Sequence, residues 1–313
     1  LFTFSDVTGS RASRPSALAA AVVCVALSAA ACTGSDDPPA SVSTSPTTVT
    51  VPSPNPSADP ATRTSAVASD VPGFSRRLTQ SLQAMLNEQP GSVGIAIGPV
   101  NGTTPAQLFG DLPTEVSWST IKVPLALAAL RNVGAVAQPD INLAIMNSDN
   151  AAAERLWGML GTPTEASAAV TEVLRDAGDT TTIVQSQKVR AGFTAFGQTE
   201  WSLVDQARFA SQLPCMPDSA GILELMREVG GTQQWGAQSI EGTAVKGGWG
   251  PQPDAEGNYL VRQMAVIPAE SGDVVVTMAT TPDNGTFEDG TAVLDDVGAW
   301  ITENLEALPA GRC

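Results

Sequence analysis

From residue 71 onward, the apolar positions fall into stretches of helical and of strand period. Phe74 to Leu86 sets apolar side chains at helical spacing with Arg76 and Arg77 on the other face, which predicts an N-terminal helix. Val93-Gly94-Ile95-Ala96-Ile97-Gly98 reads as a strand by its branched residues. Asn101-Gly102 then turns the chain into a second strand over Ala106 to Phe109. Ser119 to Arg131 is apolar nearly all round, the pattern of a helix buried at a domain centre. Ile141 to Met146 and Ala151 to Leu160 read as further helices. Another covers Thr164 to Ala177, opened by the start signals Thr162-Pro163-Thr164-Glu165. Residues 178 to 198 follow neither period, and Thr199 reads as an N-cap for a helix over Glu200 to Leu213. Three successive strands follow, Thr243 to Gly248, Tyr259 to Ile267 and Asp273 to Thr280. They turn at Asp254 to Asn258 and at Glu270 to Gly272, and a helix over Gly290 to Leu305 closes the chain. Two early strands, a helical block and three late strands predict an α/β (α+β) fold. Its five-stranded antiparallel sheet is flanked by the terminal helices and carries an inserted all-helical lobe.

The first seventy residues have a different character. Arg11 and Arg14 precede the apolar run Ala17 to Ala31, which is too short to span a bilayer as a helix, so residues 1–31 read as a signal peptide. The run ends at Ala29-Ala30-Ala31-Cys32, which resembles a bacterial lipoprotein cleavage site. That resemblance implies a lipid on Cys32 and an anchor on the outer face of the cytoplasmic membrane; the alternative is an ordinary secreted protein cut nearby. Behind Cys32, Pro, Ser, Thr and Asp dominate up to residue 70. Such a composition buries too little apolar surface to offset its ordering entropy, so residues 32–70 read as a tether. Residues 71–313 are long enough for one sizeable core. Cys24 leaves with the signal and Cys32 takes the lipid. Outside the cytoplasm Cys215 and Cys313 are then most simply a disulfide, the alternative being two buried free thiols. The net charge of −16 argues against nucleic acid as a partner, because phosphate binding relies on basic surface.

The chain has no histidine, which removes Ser-His-Asp, Cys-His and His-metal chemistry. Only three lysines stand against thirteen arginines, and two of the three lie in short motifs: Ser119-Thr120-Ile121-Lys122 and Lys246-Gly247-Gly248-Trp249-Gly250. Between them lies Ser148-Asp149-Asn150. On a helix, Ser119 and Lys122 share a face. A serine hydroxyl needs a base to become a nucleophile, and a desolvated lysine can be that base where an arginine cannot. A second cation, Lys246, would help keep Lys122 neutral.

S-x-x-K, S-D-N and K-x-G in this order resemble the motif set of class A β-lactamases and low-molecular-weight penicillin-binding proteins. The chain is also similar to actinobacterial Ala-rich lipoproteins with a degraded form of that set. The resemblance covers about residues 73 to 306. It implies that Ser119 is acylated with Lys122 as general base, that Ser148 relays a proton, and that Asn150 binds the substrate's side-chain amide. Lys246 would supply positive charge, and the backbone N–H groups of Ser119 and Trp249, the latter following Gly248, would form the oxyanion hole. Arg262 is the candidate carboxylate clamp, against a solvated strand-face arginine. The implied partner is a β-lactam or a peptidoglycan peptide; no cofactor or metal is expected, and the protein is expected to be a monomer.

Three departures qualify that reading. Gly247 stands where the family carries a hydroxyl, and the 29 residues from Ser119 to Ser148 are few for class A. From Ile183 to Gln198 no carboxylate is present to activate a deacylating water, and Glu200 reads as a helix-dipole partner. Gln185, Gln187 or Gln198 could orient a water without deprotonating it. The expectation is acylation with slow deacylation. The alternative is a non-catalytic envelope lipoprotein that uses a degenerate pocket for binding.

Overall fold

The computed structural model describes residues 73–252 and 257–313. The signal peptide, Cys32 and the tether lie outside the described residues, as does most of the turn expected at Asp254 to Asn258. Five strands form one antiparallel sheet: β1 (Gly91–Pro99), β2 (Gln107–Gly110), β5 (Ala244–Pro251), β6 (Tyr259–Ala269) and β7 (Gly272–Pro282). Their order is β2-β1-β7-β6-β5, so the first and last segments of the domain meet at β1 and β7 and β5 is left at an edge. The two remaining strands, β3 (Thr114–Val116) and β4 (Glu200–Ser202), pair apart from it.

The period of two along the strands divides the core. Val93, Ile95 and Ile97 of β1, Val245 of β5, and Val274, Val276 and Met278 of β7 face α1 (Arg76–Asn87) and α8 (Phe287–Asn304), whose Leu82, Val297 and Ile301 fill that layer. The alternate residues, Ala96, Ala244, Met264 and Val275, face the helical lobe. Lys246 and Gly248 share the parity of Ala244, so the strand's pleat alone aims the Lys246 side chain at the lobe. The lobe is built from α2 (Lys122–Val133), α3 (Gln138–Met146), α4 (Asn150–Met159), α5 (Pro163–Asp176), α6 (Leu203–Gln212) and α7 (Ala220–Arg227). Helix α2 is buried from Lys122 to Ala129 without interruption, as its uniform apolarity predicts.

Two local readings need correction. Thr199 does not cap a helix: its hydroxyl donates to Phe196 O (2.7 Å) and accepts from Gln185 N (2.9 Å). The cap of α6 is Ser202, which accepts from Asp205 N at 3.0 Å, so Asp205 rather than Glu200 complements that helix dipole. Glu200 lies in β4 opposite Val116. The second correction is that α7 and the β3–β4 pair have no counterpart in the sequence reading; both are too short to show a period. Cys215 and Cys313 form a disulfide with Cα atoms 5.3 Å apart, closing the chain's last 98 residues. A loop of that length corresponds to about 4–5 kcal/mol in the chain-entropy account.

Candidate active site

Ser119 occupies a single 3-10 turn, Trp118–Ile121, that runs directly into α2. Trp118 has φ 45°, a left-handed conformation that costs a bulky residue about 1–3 kcal/mol and needs surroundings that hold it there. Those surroundings are visible. The indole packs edge-on against Phe193 (5.2 Å between centroids) and under the Arg190 guanidinium (5.9 Å). Ser148 is the site's other left-handed residue, at φ 55°, in the three-residue link between α3 and α4. Asp149 caps α4 through Ala152 N (2.6 Å), which leaves the Asn150 side chain free for other work.

The twist at Ser148 lets one residue serve both lysines. Lys122 Nζ donates to Ser148 O (2.5 Å), Asn150 Oδ1 (2.7 Å) and Ser148 Oγ (3.4 Å). Lys246 Nζ donates to Ser148 Oγ (2.9 Å), to Gly247 O (2.9 Å) and to Gln233 Oε1. Burial lowers the Lys122 pKa to about 7, with the Asp149 carboxylate pulling the other way. Lys246 is held well below its ordinary value, first by complete burial and then by the charge of Lys122. These are the shifts an amine needs to accept a proton near neutral pH.

Gln233 is a site residue that the sequence reading missed. Fully buried, it donates to Ile145 O (3.0 Å) and Met146 O (2.9 Å) while accepting from Lys246. It ties the end of α3 to the edge strand, and nothing in its loop sequence announces this.

The hydroxyl of Ser119 opens on a cleft of about 400 Å³ that is also lined by Trp118, Asn150, Phe193, Trp249 and Tyr259. Glu154, one turn beyond Asn150 on α4, lines the same cleft and pairs with Lys188 at 3.3 Å. The sequence reading sought a carboxylate between residues 183 and 198; here it arrives from α4, and its i+4 spacing from Asn150 was the available signal. Gln185 and Gln198 line a separate cavity of about 700 Å³ on the far side of Trp118, and Gln198 is engaged by Arg190 N (2.6 Å) and Thr194 O (3.0 Å).

Edge strand β5 abuts the turn that carries Ser119 at Gly248. A Cβ there would stand 2.9 Å from Ser119 N and 3.0 Å from both Ser117 O and Thr120 N. All three are backbone atoms that cannot step aside, so Gly248→Ala is expected to push Ser119 away from β5. Its rate of acylation should fall about 10²-fold, as a misplacement near 1 Å does, measured by burst kinetics with a chromogenic acyl donor.

Arg262 is the clear correction. It is fully buried under the sheet and donates to Glu115 O (2.8 Å), Val116 O (3.0 Å), Trp201 O (3.2 Å) and Gln206 Oε1 (2.8 Å). Burial brings its pKa to about 9, still charged at neutral pH, and its fork knits β6 to the β3–β4 pair. It does not line the cleft, and both terminal nitrogens are committed to partners inside the core.

No family model matches the sequence, and no curated protein matches it. Solved structures do. The chain has the fold of the class A β-lactamases. An ancestral class A β-lactamase is 19% identical over 72% of this chain and 99% of its own, with a TM-score of 0.55. A putative class A β-lactamase from Rhodopseudomonas palustris is 17% identical over 72% of this chain and 99% of its own (TM-score 0.55). The TLA-3 extended-spectrum β-lactamase is 12% identical over 74% and 98% (TM-score 0.58). The five-stranded antiparallel sheet and the inserted helical lobe expected from the sequence are thus present.

Proposed function

We propose that the protein is an exported serine acyl-transfer hydrolase that acts on β-lactams or D-Ala-D-Ala-type peptides through an acyl group on Ser119. The observation that carries this reading is the hydrogen-bonded bridge Lys122–Ser148–Lys246, in which both lysines have depressed pKa values beside an accessible serine. Lys122 takes the Ser119 proton as Oγ attacks the carbonyl carbon. The oxyanion is received by the N–H groups of Ser119 and Trp249, on the turn and the edge strand that Gly248 allows to meet. Ser148, already bonded to Lys246, passes a proton to the leaving nitrogen. A fluorescent penicillin should label the wild-type protein and leave Ser119→Ala unlabelled.

Water attack on the acyl group is slow in this account. The one carboxylate among the described residues lining the cleft, Glu154, is tied to Lys188 rather than standing free. Glu154→Gln is expected to lengthen the lifetime of a penicillin adduct about 10²-fold without changing its rate of formation, followed by mass spectrometry after removal of free penicillin. We further propose export by residues 1–31 and anchoring through Cys32. Cys32→Ala should move the protein from the membrane fraction to the medium. A second reading, a binding protein without turnover, draws support from one detail. Among the described residues the Ser119 hydroxyl makes no hydrogen bond, while Lys122 is fully occupied by Ser148 and Asn150.

A further inference from the structure

Gln233 does not line the Ser119 cleft, yet it sets the geometry of the bond that joins Lys246 to Ser148. Its Nε2 lies 3.0 Å from Ile145 O and 2.9 Å from Met146 O, which can only accept. Its Oε1 receives Gly247 N at 3.3 Å, which can only donate. The amide is therefore locked with its oxygen toward Lys246 Nζ. The two carbonyls belong to the last turn of α3, where a helix leaves its C=O groups unpaired, and Ser148 follows closely behind Met146. One side chain thus holds both ends of the 2.9 Å contact between Lys246 Nζ and Ser148 Oγ. The loop that carries Gln233 is fastened independently of it. Gln263, fully buried, donates to Trp235 O (2.7 Å) and accepts from Ala237 N (2.9 Å), and Asp295 accepts from Gly236 N (2.6 Å).

Lys246 Nζ has three partners: Gln233 Oε1, Gly247 O and Ser148 Oγ. The first two can only accept, so each holds one Lys246 proton and can return none. Whether the amine carries two protons or three, the one exchangeable position on its nitrogen faces Ser148. From this we infer that Gln233 is a positioning residue for protonation of the leaving group, directing Lys246 at Ser148 so that Lys246 replaces the proton Ser148 gives up. This role rests on the acyl-enzyme reading and extends it. As the C–N bond of the tetrahedral adduct breaks, the nitrogen takes the Ser148 proton and Ser148 Oγ takes one from the Lys246 ammonium. Lys122, which holds the proton from Ser119, lies 3.4 Å from the same Oγ and restores Lys246 through it, so the proton count closes. Ser148 is only partly buried, whereas Gln233 and both lysines are buried, so it is the member of the network placed to meet a substrate. The consequence is a dependence on the leaving group. The nitrogen of an amide or β-lactam needs a proton in order to depart, and a p-nitrophenolate does not.

Two donors separate this role from a structural one. Benzylpenicillin and the p-nitrophenyl ester of phenylacetylglycine share a phenylacetamido group and differ in what must leave. The rate of Ser119 acylation by each is followed by intact mass on the wild type, Gln233→Met, Ser148→Ala and the double variant. Gln233→Met is expected to slow acylation by penicillin about 10²-fold, as a misplacement near 1 Å does, and to leave the rate with the ester unchanged. In the Ser148→Ala background it should cost nothing more, because residues of one network are not additive. If Gln233→Met loses its cooperative urea transition, Gln233→Glu takes its place. It keeps an oxygen toward Lys246 but loses the donor to α3, and the same split between donors is expected. Equal slowing of both donors in a folded variant, slowing of neither, or a second full loss in the Ser148→Ala background overturns the role of Gln233 while leaving the acyl-enzyme intact. No adduct from either donor on the wild type overturns the acyl-enzyme reading, and the role of Gln233 falls with it.

Discussion

Replacing Lys122 with arginine is expected to slow acylation of Ser119 by about 10²–10⁴-fold, the usual range for loss of a general base. The substitution keeps a cation on α2 but removes the ability to accept a proton, because a guanidinium does not deprotonate at working pH. The wild-type dependence on pH carries the same message. With its pKa lowered to about 7, Lys122 is half neutral near that pH, and only the neutral amine can take the Ser119 proton. The acylation rate constant should rise about tenfold per unit below pH 7 and level off above it. Burst kinetics with a chromogenic acyl donor from pH 5.5 to 9 would show this. A flat profile, or an arginine variant that acylates normally, would mean that Lys122 only fills space.

The second large effect is on stability. Desolvation makes Lys122 easier to deprotonate folded than unfolded, so between about pH 7 and the ordinary lysine value the unfolded chain binds more protons. Stability therefore rises with pH across that window and is lowest below it. A shift to about 7 implies a gain of about 2–3 kcal/mol between pH 6 and pH 9. Lys246, shifted in the same direction, adds to the slope. Lys122→Met should be more stable than wild type at pH 6 and should show a shallower slope, at the expense of activity. Urea midpoints at the two pH values measure it. Equal slopes in the two proteins would show that Lys122 is not the source.

Much of the fold was legible because its signals are periodic. The branched residues of β1, the unbroken apolarity of Val123 to Ala129 and the start signals at Thr162 and Glu165 each dictate one local answer, and the structure adopts it. What escaped was either short or non-local. Thr199-Glu200 and Ser202-x-x-Asp205 are competing start signals three residues apart, and only packing against β3 decides between them. At the site, Ser119, Lys122, Ser148, Asn150 and Lys246 were visible as motifs, and the structure brings the last four into one hydrogen-bond network beside the first. Arg262 was misjudged because a strand's parity says which face a side chain takes, not whether that face is open; here the β3–β4 pair covers it. Gln233 depends on contacts between distant segments, which no local pattern records.

The account's central claim is a covalent acyl group on Ser119. Intact mass of the purified chain after incubation with benzylpenicillin, with Ser119→Ala alongside, addresses it most directly. The expected result is a persistent gain of one penicillin mass on the wild type and none on the variant. Unmodified protein with the penicillin recovered intact would contradict the claim and leave a binding protein on this scaffold. Unmodified protein with the penicillin consumed would instead overturn slow deacylation, because water would then be reaching the acyl group faster than the adduct can accumulate.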